Sequence, residues 1–210
     1  SKIYSVTGLL NKRQGLITER PFRTPHHTVS QNALVGGGRL PRPGEVTLSH
    51  NGVLFLDEFP EFSRSALEVL RQPMEDGFVT ISRVQASLTF PAGFILVAAQ
   101  NPCPCGYYGE SDGVHECCCS MGDLERYRKK ISGPLLDRID LQVHVPRLNY
   151  RDLKLKTNGE TSALIRQRVI AARNIQLERL KQEKLNCNSA MGHREIIKYC
   201  HLTTAAEQLL

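Results

Sequence analysis

The 210-residue chain is 40% hydrophobic and 23% charged, enough apolar material for one compact domain, or a domain and part of a second, and too much for a globally disordered chain. Its longest apolar stretch, Phe94 to Ala99, is strand-sized and far short of the ~18 residues of a transmembrane helix, which excludes such a span. Lys and Arg number 27 against 21 Asp and Glu, a formal net charge of +6 that permits a polyanionic partner without requiring one.

The N-terminus, Ser1-Lys2-Ile3-Tyr4, offers neither an initiator Met nor a basic-then-apolar leader, so the expectation is a fragment without a signal peptide. Ile3 to Leu10 suits a short helix, and Asn11 to Ser30, interrupted by Pro21 and Pro25, a long loop. Val35-Gly36-Gly37-Gly38 through Arg42-Pro43-Gly44 has a flexible composition; Glu45 to Leu48 then reads as a short strand before a turn at Asn51-Gly52. Val53 to Leu56 is a continuous apolar run closed by Asp57-Glu58, the pattern of a strand buried in a parallel sheet with its acidic end exposed.

A helix is predicted from its N-cap Ser63 to Met74, with Ala66, Leu67, Leu70 and Met74 on one face. Phe78 to Ser82 and Ala86 to Phe90 form a hairpin around Arg83-Val84-Gln85, and Gly93 to Ala99 is a second buried strand ending at Gln100-Asn101-Pro102. Leu124 to Lys130 is a basic helix, Leu141 to Val145 another strand, Asn149 to Gly159 a linker, and Ser162 to Lys184 a long helix with Ala163, Ile165, Val169, Ile170 and Leu177 apolar. Apolar strands that end in polar groups, with a helix between them, predict an open α/β sheet.

Several residues suit particular chemistry. At a strand end, Asp57 can hold Mg²⁺ through its waters while Glu58 orients an attacking water, the two roles that phosphate hydrolysis needs; two acids leading into solvent are the plainer alternative. Asn101 ends a strand that a parallel sheet would set beside Asp57, or simply opens a turn before Pro102. Arg138 projects from between a helix and a strand, where it can reach a phosphate on a neighbouring subunit or, more commonly, an in-chain acid such as Asp137 or Asp140. Five of the seven cysteines lie between Cys103 and Cys119, a clustering that argues for a reduced cytoplasm rather than a disulfide scaffold. Cys103, Cys105, Cys117 and Cys119 can supply four thiolates to zinc, with Cys118 and His115 as spare ligands; reduced thiols in an exposed loop are the alternative. His26-His27, without a third ligand at a readable spacing, reads as part of the loop structure. Arg39, Arg42, Arg83 and the group Arg126, Arg128, Lys129 and Lys130 are by default solvated surface.

The order Gly52-Val53-Leu54-Phe55-Leu56-Asp57-Glu58, hairpin, Ala98-Ala99-Gln100-Asn101-Pro102, then Leu135-Leu136-Asp137-Arg138-Ile139-Asp140 resembles the Walker B, sensor 1 and arginine-finger series of AAA+ ATPases. The hairpin before sensor 1 and the Gly/Pro insertion before Walker B resemble those of the helix-2-insert clade. Arg20-Pro21-Phe22-Arg23-Thr24-Pro25-His26-His27, Val35-Gly36-Gly37-Gly38, Pro43-Gly44-Glu45 and Asn101-Pro102-Cys103-Pro104-Cys105-Gly106 are similar to magnesium-chelatase-like bacterial proteins of the ComM/YifB type.

The resemblance implies an α/β fold, a truncated AAA+ P-loop NTPase core over residues 1–148, a linker at 149–159 and the start of a helical lid over 160–210. It implies ATP and Mg²⁺ as cofactors, with Asp57, Glu58 and Asn101 at the nucleotide, Glu58 and Asn101 catalytic, and Arg138 acting in trans. It further implies a cytoplasmic homo-hexamer that acts on DNA in branch migration, with Arg42 and Arg83 lining its channel and no membrane partner. An ATPase subunit that drives a magnesium chelatase, and a zinc-stabilised nucleic-acid-binding module, are the alternatives. No Gly-Lys dipeptide occurs in the chain, so the phosphate-cradling P-loop motif is absent from it. The expectation is the middle of an ATPase module cut at both ends, inactive by itself.

Overall fold

A computed structural model describes residues 1–10, 15–38, 41–83, 86–109, 115–147 and 159–209. The chain divides into two compact units, Ser1–Arg147 and Leu148–Leu210. In the first, helix α1 (Lys2–Val6) precedes strand β1 (Phe22–Arg23), helix α2 (Gln31–Val35), the ribbon of β2 (Gly36–Gly37) and β3 (Arg42–Pro43), helix α3 (Glu45–Leu48) and strand β4 (Val53–Leu56). A 3-10 turn at Phe59–Glu61 leads to helices α4 (Arg64–Glu68) and α5 (Arg71–Asp76). The hairpin of β5 (Phe78–Arg83) and β6 (Ala86–Pro91), strand β7 (Ile95–Ala98), and helices α6 (Met121–Arg128) and α7 (Gly133–Leu136) complete the unit.

The central sheet has the order β1-β4-β7 and both pairings are parallel, with Phe22 opposite Val53 and Val53 opposite Ile95. Leu54 and Leu56 of the middle strand are fully buried and join one core with Leu34, Val46, Phe59, Phe62, Leu67, Leu70 and Leu135. The predicted buried strand and its sheet are therefore present. Gly52 permits the entry to β4: the Val53 N–H donates to the Pro21 carbonyl at 2.8 Å, and a Cβ at Gly52 would collide with that same oxygen.

Several expectations change. The predicted loop at 11–30 contains β1, which is only two residues long; the prolines on either side keep the segment from reading as a strand. Glu45 to Leu48, predicted as a strand from its β-branched residues, is helix α3. Gly44 opens its first turn by accepting from the Leu48 N–H at 3.0 Å, and Arg23 grips the Glu45 carboxylate with two hydrogen bonds of 2.6 and 2.8 Å. The single helix predicted from Ser63 is α4 followed by α5. Ser63 is its N-cap, accepting from the Ala66 N–H at 3.2 Å, but Pro73 lacks an N–H and its ring crowds the Val69 carbonyl, so the helix breaks there.

Leu141 to Val145 forms no strand, and Leu141, Val143 and Val145 are 83%, 81% and 80% exposed. An alternating strand needs a neighbour, and none of the described residues supplies one. The hairpin matches its prediction, with Thr80 opposite Thr89 and Ser82 opposite Ser87; the tip residues Val84 and Gln85 lie outside the described residues.

In the second unit, helix α8 (Ser162–Arg179) starts at Thr161, whose hydroxyl accepts from the Leu164 N–H. It ends earlier than the predicted Lys184, giving way to a 3-10 turn at Lys181–Glu183. Helices α9 (His193–Tyr199) and α10 (Thr204–Glu207) follow. Glu183 accepts from Lys198 at 2.6 Å and from the Tyr199 hydroxyl at 3.3 Å. The predicted linker lies outside the described residues except for Gly159. No described helix is long and apolar enough to cross a membrane.

Candidate functional site

The ladder between β4 and β7 continues past the strand ends: the Ala99 N–H donates to the Leu56 carbonyl and the Phe59 N–H to the Ala99 carbonyl, each at 2.9 Å. Asp57 and Glu58, just beyond β4, and Asn101, just beyond β7, thus share the carboxyl edge of the sheet, where open α/β sheets bind ligands. All three are exposed. Asp57 Oδ1 accepts the Glu58 N–H at 2.9 Å, and Glu58 itself is left-handed, with φ 51 and ψ 45, a backbone region uncommon for residues other than glycine. Two carboxylates and an amide on one edge suit a hydrated Mg²⁺ and an attacking water.

His27 reads in the sequence as part of the loop structure, but its Nδ1 lies 2.8 Å from Glu58 Oε2. The ring packs on His26, centroids 4.0 Å apart, and meets the edge of Phe62 at 6.4 Å. No spacing in the sequence signals this contact, because it is made across the β1-β4 pairing. Tyr127, also unforeseen, is buried beside the site. Burial raises the pKa of its hydroxyl, the Glu61 carboxylate adds to the shift, and the Asn101 backbone opposes it.

Arg138 follows helix α7. Its Nη1 donates to the Pro134 carbonyl at 2.6 Å, and its Nη2 pairs with Glu75 of α5 rather than with Asp137 or Asp140. The Nε is buried without a partner among the described residues.

The four predicted thiols converge. Cys103 Sγ lies 3.3 Å from Cys105 and 3.8 Å from Cys117, which is 3.6 Å from Cys105; with Cys119, all four sulfurs fall within 4.8 Å of one another. Tetrahedral zinc with Zn–S bonds of about 2.3 Å places its sulfurs about 3.8 Å apart, so the donor set fits this metal. None of the cysteines is disulfide-bonded. The Tyr107 N–H favours the Cys105 thiolate, as do Cys103 and the Cys118 and Cys119 groups; these outweigh burial and bring its pKa to about 6. The Cys105 N–H likewise favours a Cys119 thiolate, but burial and the three neighbouring thiols push that pKa up to about 12.

Of the spare ligands, Cys118 is exposed and His115 stacks on Tyr107 with centroids 5.2 Å apart. Arg128 of α6 covers Tyr108 and Arg147 covers Tyr107, tying the cysteine loop down. A cleft of about 470 Å³ between this loop and α6 is lined by Cys105, Cys118, Cys119, Tyr127 and Lys130. Of the basic candidates, Arg42 is exposed on β3 and Arg83 stands opposite Ala86 in the hairpin register; Arg39 lies outside the described residues. Arg126, Lys129 and Lys130 each face an acid, Asp123, Glu125 and Glu61 respectively.

A parallel sheet with acidic and amide strand ends, flanked by helices and carrying an inserted hairpin, defines a truncated core of the AAA+ P-loop NTPase type. The chain belongs to the magnesium chelatase family, of the ComM/YifB type: residues 1–153 match the model for magnesium chelatase, subunit ChlI, and residues 159–210 that for its C-terminal part. It is 48% identical over 185 residues to the competence protein ComM of Haemophilus influenzae, covering 88% of this chain and 35% of that protein. It is 49% identical over 186 residues to YifB of Escherichia coli, with the same coverage of 88% and 35%. Similarity to the magnesium-chelatase subunit ChlI of Chlorella vulgaris is 32% over 72 residues, 34% of this chain and 20% of the relative. The chain therefore spans about 35% of the length of the ComM and YifB relatives that it matches.

Proposed function

We propose that this chain carries the hydrolytic centre of an ATP-driven motor that acts on DNA, a hexameric branch-migration helicase of recombination. The observation that carries the reading is the meeting of Asp57, Glu58 and Asn101 on one sheet edge, in a chain whose family points to ATP and Mg²⁺. Asp57 takes its place among the groups that hold Mg²⁺ with the nucleotide phosphates. Glu58 accepts hydrogen bonds from the attacking water, Asn101 holds that water or a phosphate oxygen, and Arg138 completes the site of an adjacent subunit. Bound Mg²⁺ supplies charge neutralisation on the phosphates. Arg42 and Arg83 contact DNA phosphates, and the four thiolates hold a structural zinc.

A chelatase-driving ATPase shares the same hydrolytic residues. The extent of similarity to ComM, 88% of the chain against 34% for the ChlI subunit, favours the DNA-acting reading. ATPase assays of the full-length protein test it. Branched DNA is expected to stimulate wild-type turnover, while Glu58→Gln binds ATP but hydrolyses it only at a small residual rate. Turnover indifferent to DNA would favour the chelatase reading, and wild-type turnover in Glu58→Gln would remove the assignment of Glu58.

A further inference from the structure

We infer that His27 is the positioning residue for Glu58: its imidazole holds one carboxylate oxygen and leaves the other directed to water. This rests on the proposed role of Glu58 as the group that orients the attacking water.

The backbone at Glu58 is pinned on both sides. Its N–H donates to Asp57 Oδ1 at 2.9 Å, its carbonyl accepts the Glu61 N–H at 2.7 Å, and the next N–H, of Phe59, is bound to the Ala99 carbonyl at 2.9 Å. The direction of the carboxylate is then left to the side-chain torsions. A carboxylate ion only accepts hydrogen bonds, so at 2.8 Å it is His27 Nδ1 that donates, to Oε2. That bond occupies one oxygen, and Oε1 remains as the acceptor for water.

His27 is itself held. Its ring packs on His26, while Phe62, whose edge it meets, is a core residue only 4% exposed. His26 is fixed in turn by Thr28, whose Oγ1 lies 3.0 Å from His26 Nδ1, and its carbonyl accepts the Val29 N–H at 2.9 Å. Upstream, β1 is locked to β4 and Arg23 to Glu45. A donor carried on such a fixed segment sets the aim of a mobile side chain, as hydrogen-bonded partners behind reacting groups do elsewhere. The competing account is an ordinary surface ion pair, since the two side chains are 29% and 55% exposed; such a pair would leave catalysis untouched.

The two accounts separate in the full-length protein. The amide nitrogen of asparagine lies where His Nδ1 does, so His27→Asn keeps the donor and His27→Ala removes it. His27→Ala is expected to lower kcat on the order of 10-fold with KM and nucleotide affinity unchanged, while His27→Asn retains most of kcat. In a structure determined without nucleotide, the Glu58 carboxylate should leave its position in His27→Ala and keep it in His27→Asn. Added to Glu58→Gln, His27→Ala should lower the residual rate no further. Wild-type or raised kcat in His27→Ala, equal losses in both His27 variants, or an unmoved Glu58 would each overturn the inference while leaving the Glu58 assignment standing. Wild-type turnover in Glu58→Gln would overturn both.

Discussion

Glu58 and Asp57 are adjacent in sequence yet are assigned different roles in the proposed site, and of the two only Glu58 has a left-handed backbone. In the full-length protein Asp57→Asn should weaken binding of the Mg²⁺–nucleotide complex itself, whereas Glu58→Gln spares it; a titration with a fluorescent ATP analogue reads the difference. Arg138→Ala should leave nucleotide binding largely intact and cut turnover by up to about 10³ to 10⁵, the range of arginine fingers. Co-assembling Arg138→Ala with Glu58→Gln subunits should restore some ATPase, since one interface then has both groups intact. If Arg138 serves only its in-chain pair with Glu75, the loss is about 0 to 1 kcal/mol of stability and mixing restores nothing.

His50 gives a pH dependence with a definite sign. Its Nδ1 accepts the Gly93 N–H at 3.1 Å, which requires an unprotonated nitrogen, and burial lowers its pKa, with the N-terminal charge adding to the shift. The folded state therefore favours neutral His50. That contribution is complete above the unfolded pKa of about 6.5 and fades as pH falls through the lower, folded value. Thermal unfolding of the full-length protein should show the gap between wild type and His50→Ala shrinking from pH 8 to pH 5. The strand-end positions of Asp57, Glu58 and Asn101 were legible because strand ends announce themselves in an apolar pattern. His27 was not, since its contact depends on which strand β1 joins.

At the scale of elements, the cysteine loop is the clearest case in which residue type and spacing sufficed: the close pairs, read as four ligands, meet in space. Cys105, with a pKa of about 6, is ionised at neutral pH without help, whereas Cys119 at about 12 stays protonated. Zinc binding must therefore expel protons, and affinity should fall as pH falls. Elemental analysis of the full-length protein should give about one zinc per chain, absent from Cys103→Ser and from Cys119→Ser, with protease sensitivity rising in the loop. A metal-free protein with an intact loop would refute the site. Elsewhere, local patterns misled where tertiary contacts outweighed propensity. Val46, Thr47 and Leu48 favour a strand by type, but Gly44 before them and the Arg23–Glu45 clamp make a helix whose three residues are all buried. Pro73 was visible in the sequence, yet the apolar face of Leu67, Leu70 and Met74 reads as continuous helix across it.

For the whole molecule, family membership and the parallel sheet were legible from motif order, whereas the exposed state of Leu141, Val143 and Val145 was not, because a strand is a property of a pair. The apolar positions of α8, Ile165, Val169 and Ile170 among them, are likewise exposed; a helical period shows which face is apolar and not what covers it. DNA binding by the full-length protein should report on charge carried by elements far apart in sequence. Replacing Arg83 or Arg42 with Ala should weaken binding about equally for all sequences and lower the slope of log affinity against log salt by about 1 for each phosphate no longer neutralised, as measured by anisotropy across a salt series. An unchanged slope would remove these residues from the interface.

The pairing of β4 between β1 and β7 also bears on how the protein is made. Phe22, Val53 and Ile95 stand side by side, so two long loops must close before the sheet exists, and such non-local pairings form late in folding. Asn101 lies beyond the last of these strands. A nascent chain on the ribosome thus holds Asp57 and Glu58 for some time as ordinary solvated acids, and these two meet Asn101 on one sheet edge only after β7 has emerged and docked.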